Sequence, residues 1–535
     1  MAEFLMLNRA ILRCGSVIVV IAAVTTAAFS TSNLTSRNGV MARSVFQSAS
    51  LLGATSSGSS ARPTEGLFEW LAGVKGGSKG VELKYDSLSG VGIFSRQDKK
   101  PETVLMSVPD GVAITERVPS EGYSVPEGID GEVWGGRKWW SRMSVRMDRL
   151  RLGKEEGGKG EDYGAWLKSL PSSHGTTFFW SDAELDDLEY APMKSAVLRQ
   201  RDEWKREYDE LVKGGLSGLD WDRFVWGCET ARSRCFSSLY QPSFSPLPFL
   251  LTAFLSVTYL GLNLGTVPQV SNGAALVFCA VVLKDFVVPK FNRVQNYVIC
   301  PCIDMANHRG EGSNSRVEFE YFSSCYSLVT SEEVGAGSEM TISYGERGND
   351  QLLQYYGFVE ESNPHDVFIV PPIKNWNIGQ LEEAVGDGEI GRGGRLEKVE
   401  RAGLLGGDEK ERTQGGVVLG SARGMDLAVI QGLRCLLSND SEWKASGESV
   451  GGFAEQVSEG NERKVRMCLK CVLEGELAKF KTTLEEDEAL LESLGGGFDK
   501  SKQSSKNTNS RKRMAAKFRM EKKRILRKWI AEYSN

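Results

Sequence analysis

The chain has 535 residues, a formal net charge of −5, and 25% charged and 41% hydrophobic residues. This length predicts two or three domains, and the composition is that of a soluble globular protein, with no overall basic field for nucleic acid. Ten scattered cysteines indicate a reducing compartment rather than a disulfide scaffold, and three histidines are too few for a histidine-rich metal site.

Residues 1–62 have the composition of a targeting leader. Arg9 and Arg13 precede an apolar run at 17–28, which is shorter than the roughly 20 residues that a membrane-spanning helix needs. The rest of the leader has no Asp or Glu, while Ser, Thr and Arg are frequent. The pattern predicts a bipartite plastid leader. A secretory or endomembrane destination and a membrane anchor are the alternatives.

Short apolar runs joined by glycine turns predict a compact β fold after the leader. Residues 81–85 alternate as in a strand, and two further runs follow at 90–94 and 103–109. Residues 111–160 are rich in glycine and charge, and we expect loops there.

A helical insertion is predicted at about 125–240, with clear helical periodicity from about residue 163. Ser181 with Glu184 three residues later predicts a capping box at a helix start. A later helix begins at Trp221 and contains Arg234 near its end.

Residues 246–288 form a second insertion, which is apolar. Its first run, to residue 265, is long enough to span a bilayer, and another apolar run follows at 274–283. Two interpretations remain open. The segment is either a helix pair buried against the core or a hairpin that contacts a membrane.

The last part of the chain is predicted to be helical. Residues 371–425 are glycine-rich and weakly patterned, whereas four later stretches have helical periodicity: 425–437, 461–481, 484–494 and 511–533. The final helix is basic, but its regular apolar face favours packing on the preceding helices. We therefore expect no nucleic-acid partner.

Two polar motifs in apolar, strand-like surroundings form the candidate site. Residues 304–308 (Asp-Met-Ala-Asn-His) follow an apolar run, and Tyr344 with the next glycine closes a later strand. The Tyr344 hydroxyl can orient a nucleophile, the Asn307 amide can bond a charged ligand, and Arg234 can clamp a carboxylate. Taken singly, each of these residues is better interpreted as structural.

Gly90 and Gly92 lie in a predicted strand, where they allow a ligand to approach the backbone closely. The third glycine of a dinucleotide fingerprint is missing and no helix follows, which excludes a Rossmann site. A lone Cys-x-x-Cys at 468–471 has no second pair, so that no zinc site is predicted.

Taken in order, these motifs resemble the SET-domain protein methyltransferases of the Rubisco large-subunit lysine methyltransferase (Rubisco LSMT) class. The motifs are the Gly-x-Gly strand, the Ser-Arg that ends the helical insertion, Asp-Met-x-Asn-His, Tyr-Gly, and Tyr-Gly-Phe at 356–358. The resemblance covers about residues 66–535. It implies an α+β fold, in which a SET domain of short strands with a pseudoknot at 63–360 precedes an all-α, Rubisco LSMT-like substrate-binding domain at 361–535. The apolar insertion is not part of the common pattern.

The resemblance also implies the chemistry. The cofactor is S-adenosyl-L-methionine, no metal is used, and the reaction is N-methylation of a lysine in a non-histone protein. Tyr344 is implied to be the catalytic residue. The residues implied to bind the cofactor are Gly90, Gly92, Arg234, Asp304, Asn307, His308 and Phe358. The alternatives are a SET-scaffold binding protein with little turnover, a protein-histidine N-methyltransferase and a membrane-associated interaction protein. We expect a monomer.

Overall fold

The structure is a computed structural model. It describes residues 66–86, 90–118, 125–153, 162–239, 244–288, 294–386, 390–405, 416–495 and 503–535, and the single residues 64, 242 and 291. The leader predicted at 1–62 lies outside these residues and stays a prediction. The chain divides into a main unit, 63–243 with 293–535, and an insertion unit, of which residues 244–288 and 291 are described.

The strands of the main unit form several small sheets. They are β1 (Gly77–Ser78), β2 (Val81–Asp86), β3 (Gly90–Ser95), β4 (Val104–Pro109), β5 (Ile114–Val118), β6 (Phe236–Leu239), β7 (Gln295–Ile299), β8 (Asn307–His308), β9 (Ser315–Glu320), β10 (Cys325–Thr330), β11 (Glu339–Ile342), β12 (Val367–Val370), β13 (Val417–Gly420) and β14 (Gly424–Met425). The strand orders are β1-β4-β10-β9, β2-β3-β11-β8, β5-β7-β6 and β12-β13-β14.

The sheet β2-β3-β11-β8 contains both polar motifs. Ile93 of β3 and Met340 of β11 are paired across the two strands and are buried in the core. This burial fixes the register, since a shift of one residue would turn either side chain away from the core. On its other side β11 pairs in parallel with β8, with Thr341 opposite Asn307. β11 is therefore held between β3 and β8.

The helices fill the rest of the main unit and the insertion unit. They are α1 (Leu67–Gly73), α2 (Gly131–Gly135), α3 (Trp139–Arg151), α4 (Gly164–Ser169), α5 (Asp182–Asp186), α6 (Ala191–Lys213), α7 (Trp221–Arg234), α8 (Leu247–Gly261), α9 (Val267–Val282), α10 (Asn349–Tyr356), α11 (Ile378–Val385), α12 (Arg395–Arg401), α13 (Leu427–Leu436), α14 (Asp440–Ala445), α15 (Glu459–Leu477), α16 (Leu484–Gly495) and α17 (Gln503–Glu532). Ser181 and Glu184 make the predicted capping box at the start of α5.

The loops predicted for 111–160 are wrong for the described part of that range, which contains β5, α2 and α3. Arg142 of α3 is buried, and its Nε donates a hydrogen bond to Glu116 Oε1 of β5 at 2.5 Å. This pair of charges is therefore buried across the fold rather than solvated. A charge-rich composition misled the prediction for this reason.

The described hydrophobic core consists of two clusters. The first joins the strands around the polar motifs to helices of the helical insertion predicted at about 125–240, and includes Leu105, Trp166 and Phe224. The second includes Leu188 from the helical insertion together with Phe518 from α17. Because this cluster contains residues from both sides of residue 360, it does not mark the domain boundary predicted there, and that boundary stays a prediction.

The part of the chain after residue 360 is mainly helical. The four predicted helices correspond to α13, α15, α16 and α17. This part also contains the antiparallel sheet β12-β13-β14, which the description as all-α omits. Its strands are very short and two of them, β13 and β14, lie within the glycine-rich stretch 371–425, so that their periodicity was weak in the sequence. The α+β class is confirmed.

The insertion unit contains α8 and α9, and a π-helical turn at Leu283–Val287 extends α9. In the described residues no side chain of α8 or α9 is buried, which contradicts the interpretation of this segment as a buried helix pair. Within the described chain, the helix Val267–Val287 is long and apolar enough to cross a membrane, judged by length and composition.

Candidate active site

The end of β11 brings the two polar motifs together. Its parallel pairing sets Ile342 opposite His308, so that Tyr344 follows just beyond the paired end. The Tyr344 backbone N–H donates a hydrogen bond to His308 Nδ1 at 3.0 Å, and the Tyr344 hydroxyl donates to the Ala306 carbonyl oxygen at 2.9 Å. The tyrosine is thus anchored through both its backbone and its hydroxyl.

Aromatic rings surround the Tyr344 phenol. The His308 ring stacks on it with centroids 4.9 Å apart, and the Tyr356 ring stacks on it at 4.8 Å. Phe358 lies 5.9 Å from the His308 ring and 6.3 Å from the Tyr356 ring. The faces of such rings attract a cationic group, for example a sulfonium or a methylated ammonium.

Burial sets the protonation states of Tyr344 and His308. It raises the pKa of the Tyr344 phenol, against a smaller opposing effect of Arg234, so that the hydroxyl is neutral. It lowers the pKa of His308, although the Glu360 carboxylate 3.4 Å from Nε2 acts in the opposite direction. Because Nδ1 accepts from the Tyr344 N–H, the ring proton is on Nε2 and faces Glu360.

An ion pair between the partly buried Arg234 and the buried Asp304 joins α7 to the 304–308 motif. Arg234 Nη1 donates to the Asp304 carboxylate at 2.9 Å and to the Asp304 carbonyl oxygen at 3.0 Å. Trp166 Nε1 donates to the same carboxylate at 3.2 Å and 3.3 Å. Burial raises the pKa of Asp304, and Arg234 and Trp166 counteract this rise. Asp304 therefore contacts Arg234 and positions it.

Gly92 is required by a close approach, whereas Gly90 is required by its backbone conformation. The Asn307 amide donates to Glu339 Oε1 at 2.7 Å. A Cβ on Gly92 would overlap that oxygen and lie 3.0 Å from the Asn307 amide nitrogen. Gly90 has φ of +80° and open space where its Cβ would lie. Of the two glycines, Gly92 is the one that the structure places against Asn307.

The structure therefore brings most of the predicted site residues into two connected groups. Tyr344, His308 and Phe358 form the aromatic group. Asn307 precedes His308 in the chain, and its amide lies next to Gly92. Arg234 and Asp304 form the ion pair, while Gly90 stands apart at the start of β3. The roles of these residues in catalysis and cofactor binding stay predictions.

Sequence reasoning missed the residues that hold these groups in place. Glu339 accepts a hydrogen bond from Asn307, Glu360 lies beside His308 Nε2, and Trp166 donates a hydrogen bond to Asp304. None of these three carries a local signal, because each partner lies far along the chain. Tyr356 was also missed as a site residue, although the run Tyr-Tyr-Gly-Phe in which it lies is rich enough in aromatic residues to indicate it.

The residues fit S-adenosyl-L-methionine, a zwitterion with a sulfonium centre. Arg234 Nε is buried without a hydrogen-bond partner in the described chain, so that the guanidinium keeps an unused donor for a carboxylate. Asn307 and Glu339 are both partly exposed and offer a donor and an acceptor. The aromatic rings suit the sulfonium. In the described residues no group of three or more His, Cys, Asp or Glu could hold a metal ion.

Comparisons with known proteins found relatives of the class that the motifs resemble. The family model described as Rubisco LSMT substrate-binding matches residues 395–526. The chloroplastic fructose-bisphosphate aldolase-lysine N-methyltransferase of Arabidopsis thaliana is 24% identical, over 82% of this chain and 76% of that protein. The chloroplastic ribulose-1,5 bisphosphate carboxylase/oxygenase large subunit N-methyltransferase of Nicotiana tabacum is 22% identical, over 82% of this chain and 74% of that protein.

Solved structures show the same fold. The SET domain of LSMT bound to lysine and AdoHcy matches with a TM-score of 0.56 at 16% identity, over 89% of this chain and 92% of that one. Rubisco LSMT bound to AdoMet matches with a TM-score of 0.54 at 17% identity and the same coverage. With the matched substrate-binding domain, these findings confirm the predicted resemblance to the Rubisco LSMT class of SET-domain proteins.

Proposed function

We propose that this protein is an S-adenosyl-L-methionine-dependent protein-lysine N-methyltransferase that acts on a non-histone protein. The observation that carries the proposal is the double anchoring of Tyr344, to Ala306 through its hydroxyl and to His308 through its N–H. The relatives from Arabidopsis thaliana and Nicotiana tabacum support it, because both are named as N-methyltransferases of metabolic enzymes.

The side chains of the site prepare a methyl transfer by position and charge. When bound, S-adenosyl-L-methionine supplies an electrophilic methyl group. The Tyr344 proton is bonded to Ala306, so that the phenol oxygen offers its lone pairs to an N–H of the incoming amine. The rings of Tyr356 and Phe358 exclude water from that amine, which lowers its pKa and favours the neutral nucleophile. Arg234 would hold the carboxylate of the cofactor.

The location and the partners are further parts of the proposal. Both named relatives are chloroplastic, and together with the leader composition this supports a plastid location. The enzyme acts as a monomer on a protein substrate. Residues 246–288 contact a membrane, a proposal that rests on the exposed apolar side chains of α8 and α9.

Methyl transfer to a plastid extract tests the proposed activity. Purified protein is incubated with radiolabelled S-adenosyl-L-methionine and extract, and the labelled residue is identified by mass spectrometry. We expect labelled lysine, and a loss of about 100-fold or more in Tyr344→Phe, as for removal of a group that acts directly on the reacting atoms. Tyr326→Phe is the matched control, since Tyr326 is a buried tyrosine whose hydroxyl contacts Asn296, away from the site.

The outcomes separate the alternatives. Undiminished labelling by Tyr344→Phe contradicts the role of the phenol. Binding of S-adenosyl-L-methionine by calorimetry with no labelling of any protein indicates a SET-scaffold binding protein. Labelled histidine in place of lysine indicates a protein-histidine N-methyltransferase.

A further inference from the structure

The stretch between Arg234 and Lys284 has a composition unlike the rest of the chain. From residue 235 to residue 283 there is no Asp, Glu, Lys or Arg, in a chain in which 25% of residues are charged. The apolar helices α8 and α9 lie in this stretch. In the described residues their side chains are not buried, and Leu250, Phe254 and Val257 are 64%, 65% and 72% exposed. Exposed apolar surface on this scale marks an interaction site.

The Ser and Thr hydroxyls of α8 are satisfied within the helix, as a lipid environment demands. The hydroxyls of Thr252, Ser256 and Thr258 each donate to the carbonyl oxygen four residues earlier, at 2.6, 2.6 and 2.9 Å. At the start of α9, Thr266 and Gln269 form a capping box, in which the Thr266 N–H donates to Gln269 Oε1 at 2.9 Å. In hydrocarbon, polar groups must find such internal partners because water is absent.

The uncharged parts of the two helices are somewhat shorter than a bilayer is thick. Helix Val267–Val287 has 21 residues, which correspond to about 31 Å, but its uncharged part ends at Leu283 and is about 26 Å long, whereas the hydrocarbon core is about 30 Å thick. Helix α8 has 15 residues and is about 22 Å long. The short turn between the two helices makes them a hairpin, and the first helix alone is too short to cross the hydrocarbon core fully.

The connections to the main unit define the topology. The strands on either side of the insertion, β6 and β7, are paired, with Leu239 opposite Gln295. The chain therefore leaves the main unit and returns to it at the same place. A segment that leaves and returns at one place has both ends on the same side of a membrane. The linking segments, 240–246 and 288–294, span at most about 25 Å each when fully extended.

We propose that residues 244–283, which contain no charged side chain, form a re-entrant hairpin in the hydrocarbon core of a bilayer, and that this hairpin restricts the enzyme to lysines of proteins held at a membrane surface. The restriction follows because the short linking segments keep the main unit within a few nanometres of the bilayer. The part of the proposal that concerns substrates rests on the proposed function, whereas the hairpin itself does not.

Flotation of the full-length protein with vesicles of phosphatidylcholine and phosphatidylglycerol tests the hairpin. In the deletion variant an Asn-Gly turn replaces residues 240–294, which is a suitable closure because Leu239 and Gln295 are already paired. We expect the wild type to float and to resist carbonate extraction, and the deletion variant to remain at the bottom. Calorimetry with S-adenosyl-L-methionine and circular dichroism show whether the deletion variant is folded.

Point variants test the same surface without a deletion. We expect Phe254→Lys with Phe278→Lys to reduce the floating fraction at least fivefold, because two charges enter the apolar faces. Leu427→Lys is the matched control, since Leu427 is exposed at the start of α13 in the main unit. If the deletion variant floats as the wild type does, the hairpin proposal is wrong, and the result indicates that the protein binds the vesicles through residues 17–28. A wild type that does not float but forms dimers that the deletion abolishes also overturns it, in favour of a second copy.

Labelling of plastid membrane and soluble fractions tests the substrate class. We expect the deletion variant to label membrane proteins at least tenfold less than the wild type, with equal affinity for S-adenosyl-L-methionine. Equal labelling by both proteins overturns the restriction to membrane substrates. Flotation without labelling of either fraction contradicts the proposed function and leaves the hairpin, whereas labelling without flotation contradicts the hairpin and leaves the function.

Discussion

Replacement of Gly92 with alanine tests whether the pair of Asn307 and Glu339 serves the site. The added Cβ would overlap Glu339 Oε1 and lie 3.0 Å from the Asn307 amide nitrogen. Both side chains must move, and the 2.7 Å hydrogen bond between them is lost. A hydrogen bond to a charged group contributes about 1.5–3 kcal/mol. Since about 1.4 kcal/mol is a factor of ten, we expect roughly ten- to hundredfold weaker S-adenosyl-L-methionine binding.

Gly90→Ala is the matched control in the same strand. Gly90 has φ of +80°, and nothing lies within 4 Å of an added Cβ. Alanine in this left-handed conformation costs about 1–2 kcal/mol, of which about 0.4–1 kcal/mol is offset by the lower entropy of the unfolded chain. We therefore expect Gly90→Ala to lower the free energy of unfolding by about 1 kcal/mol and to weaken cofactor binding less than Gly92→Ala does.

Isothermal titration calorimetry with S-adenosyl-L-methionine, run beside urea unfolding, distinguishes the two glycines. Wild-type affinity in Gly92→Ala refutes the reasoning, because the pair can then be displaced without effect on the cofactor. Equal losses of affinity in both variants refute it as well, since the cofactor then depends on the strand as a whole and not on the approach of Asn307.

Three further substitutions test the buried charges. Asp304→Asn leaves the Arg234 charge uncompensated, and we expect a loss of about 3 kcal/mol in the free energy of unfolding by urea; an unchanged midpoint contradicts this. Burial lowers the pKa of His174 in the folded protein, whereas a histidine in the unfolded chain has a pKa of about 6.5. The unfolded state therefore binds more protons, and the free energy of unfolding falls as the pH drops below about 6.5. We expect His174→Gln to flatten this fall, and identical pH profiles refute the assignment. Lys522→Met leaves the buried Asp366 carboxylate and the partly buried Asp350 carboxylate without their ammonium partner and should cost about 3 kcal/mol, whereas the exposed control Lys517→Met should change the thermal midpoint little.

The features predictable from the sequence depend on neighbours along the chain. The capping box of Ser181 and Glu184 and the four C-terminal helices fall where their patterns indicate, because capping and periodicity involve residues within one or two turns. The proximity of the candidate site residues was predictable for a different reason. Its motifs occur in an order that resembles a known class, although Tyr344 and Asn307 have no local pattern that would bring them together.

Interactions across the fold could not be predicted from one sequence. Glu339 meets Asn307 because β11 lies in parallel register with β8, and that register is fixed by burial elsewhere in the sheet. Arg142 meets Glu116 across a strand and a helix, so that a stretch rich in charge becomes part of the core. In each case the partner is chosen by tertiary structure, and the residue types alone are equally compatible with a solvated surface.

The apolar insertion interrupts the chain between Arg234 and Asp304, two residues that lie 2.9 Å apart. This position favours a buried element, since a long detour separates the two halves of a site in the sequence. The pairing of β6 with β7 keeps the two halves of the site together, because it joins the two ends of the insertion in register, with Leu239 opposite Gln295. Loop closure costs only about 0.6 kcal/mol for each doubling of length, so that extending a four-residue turn to about 50 residues costs about 2 kcal/mol. The paired strands β6 and β7 therefore permit a long insertion without loss of the ion pair between Arg234 and Asp304, and the insertion can have a function separate from the site.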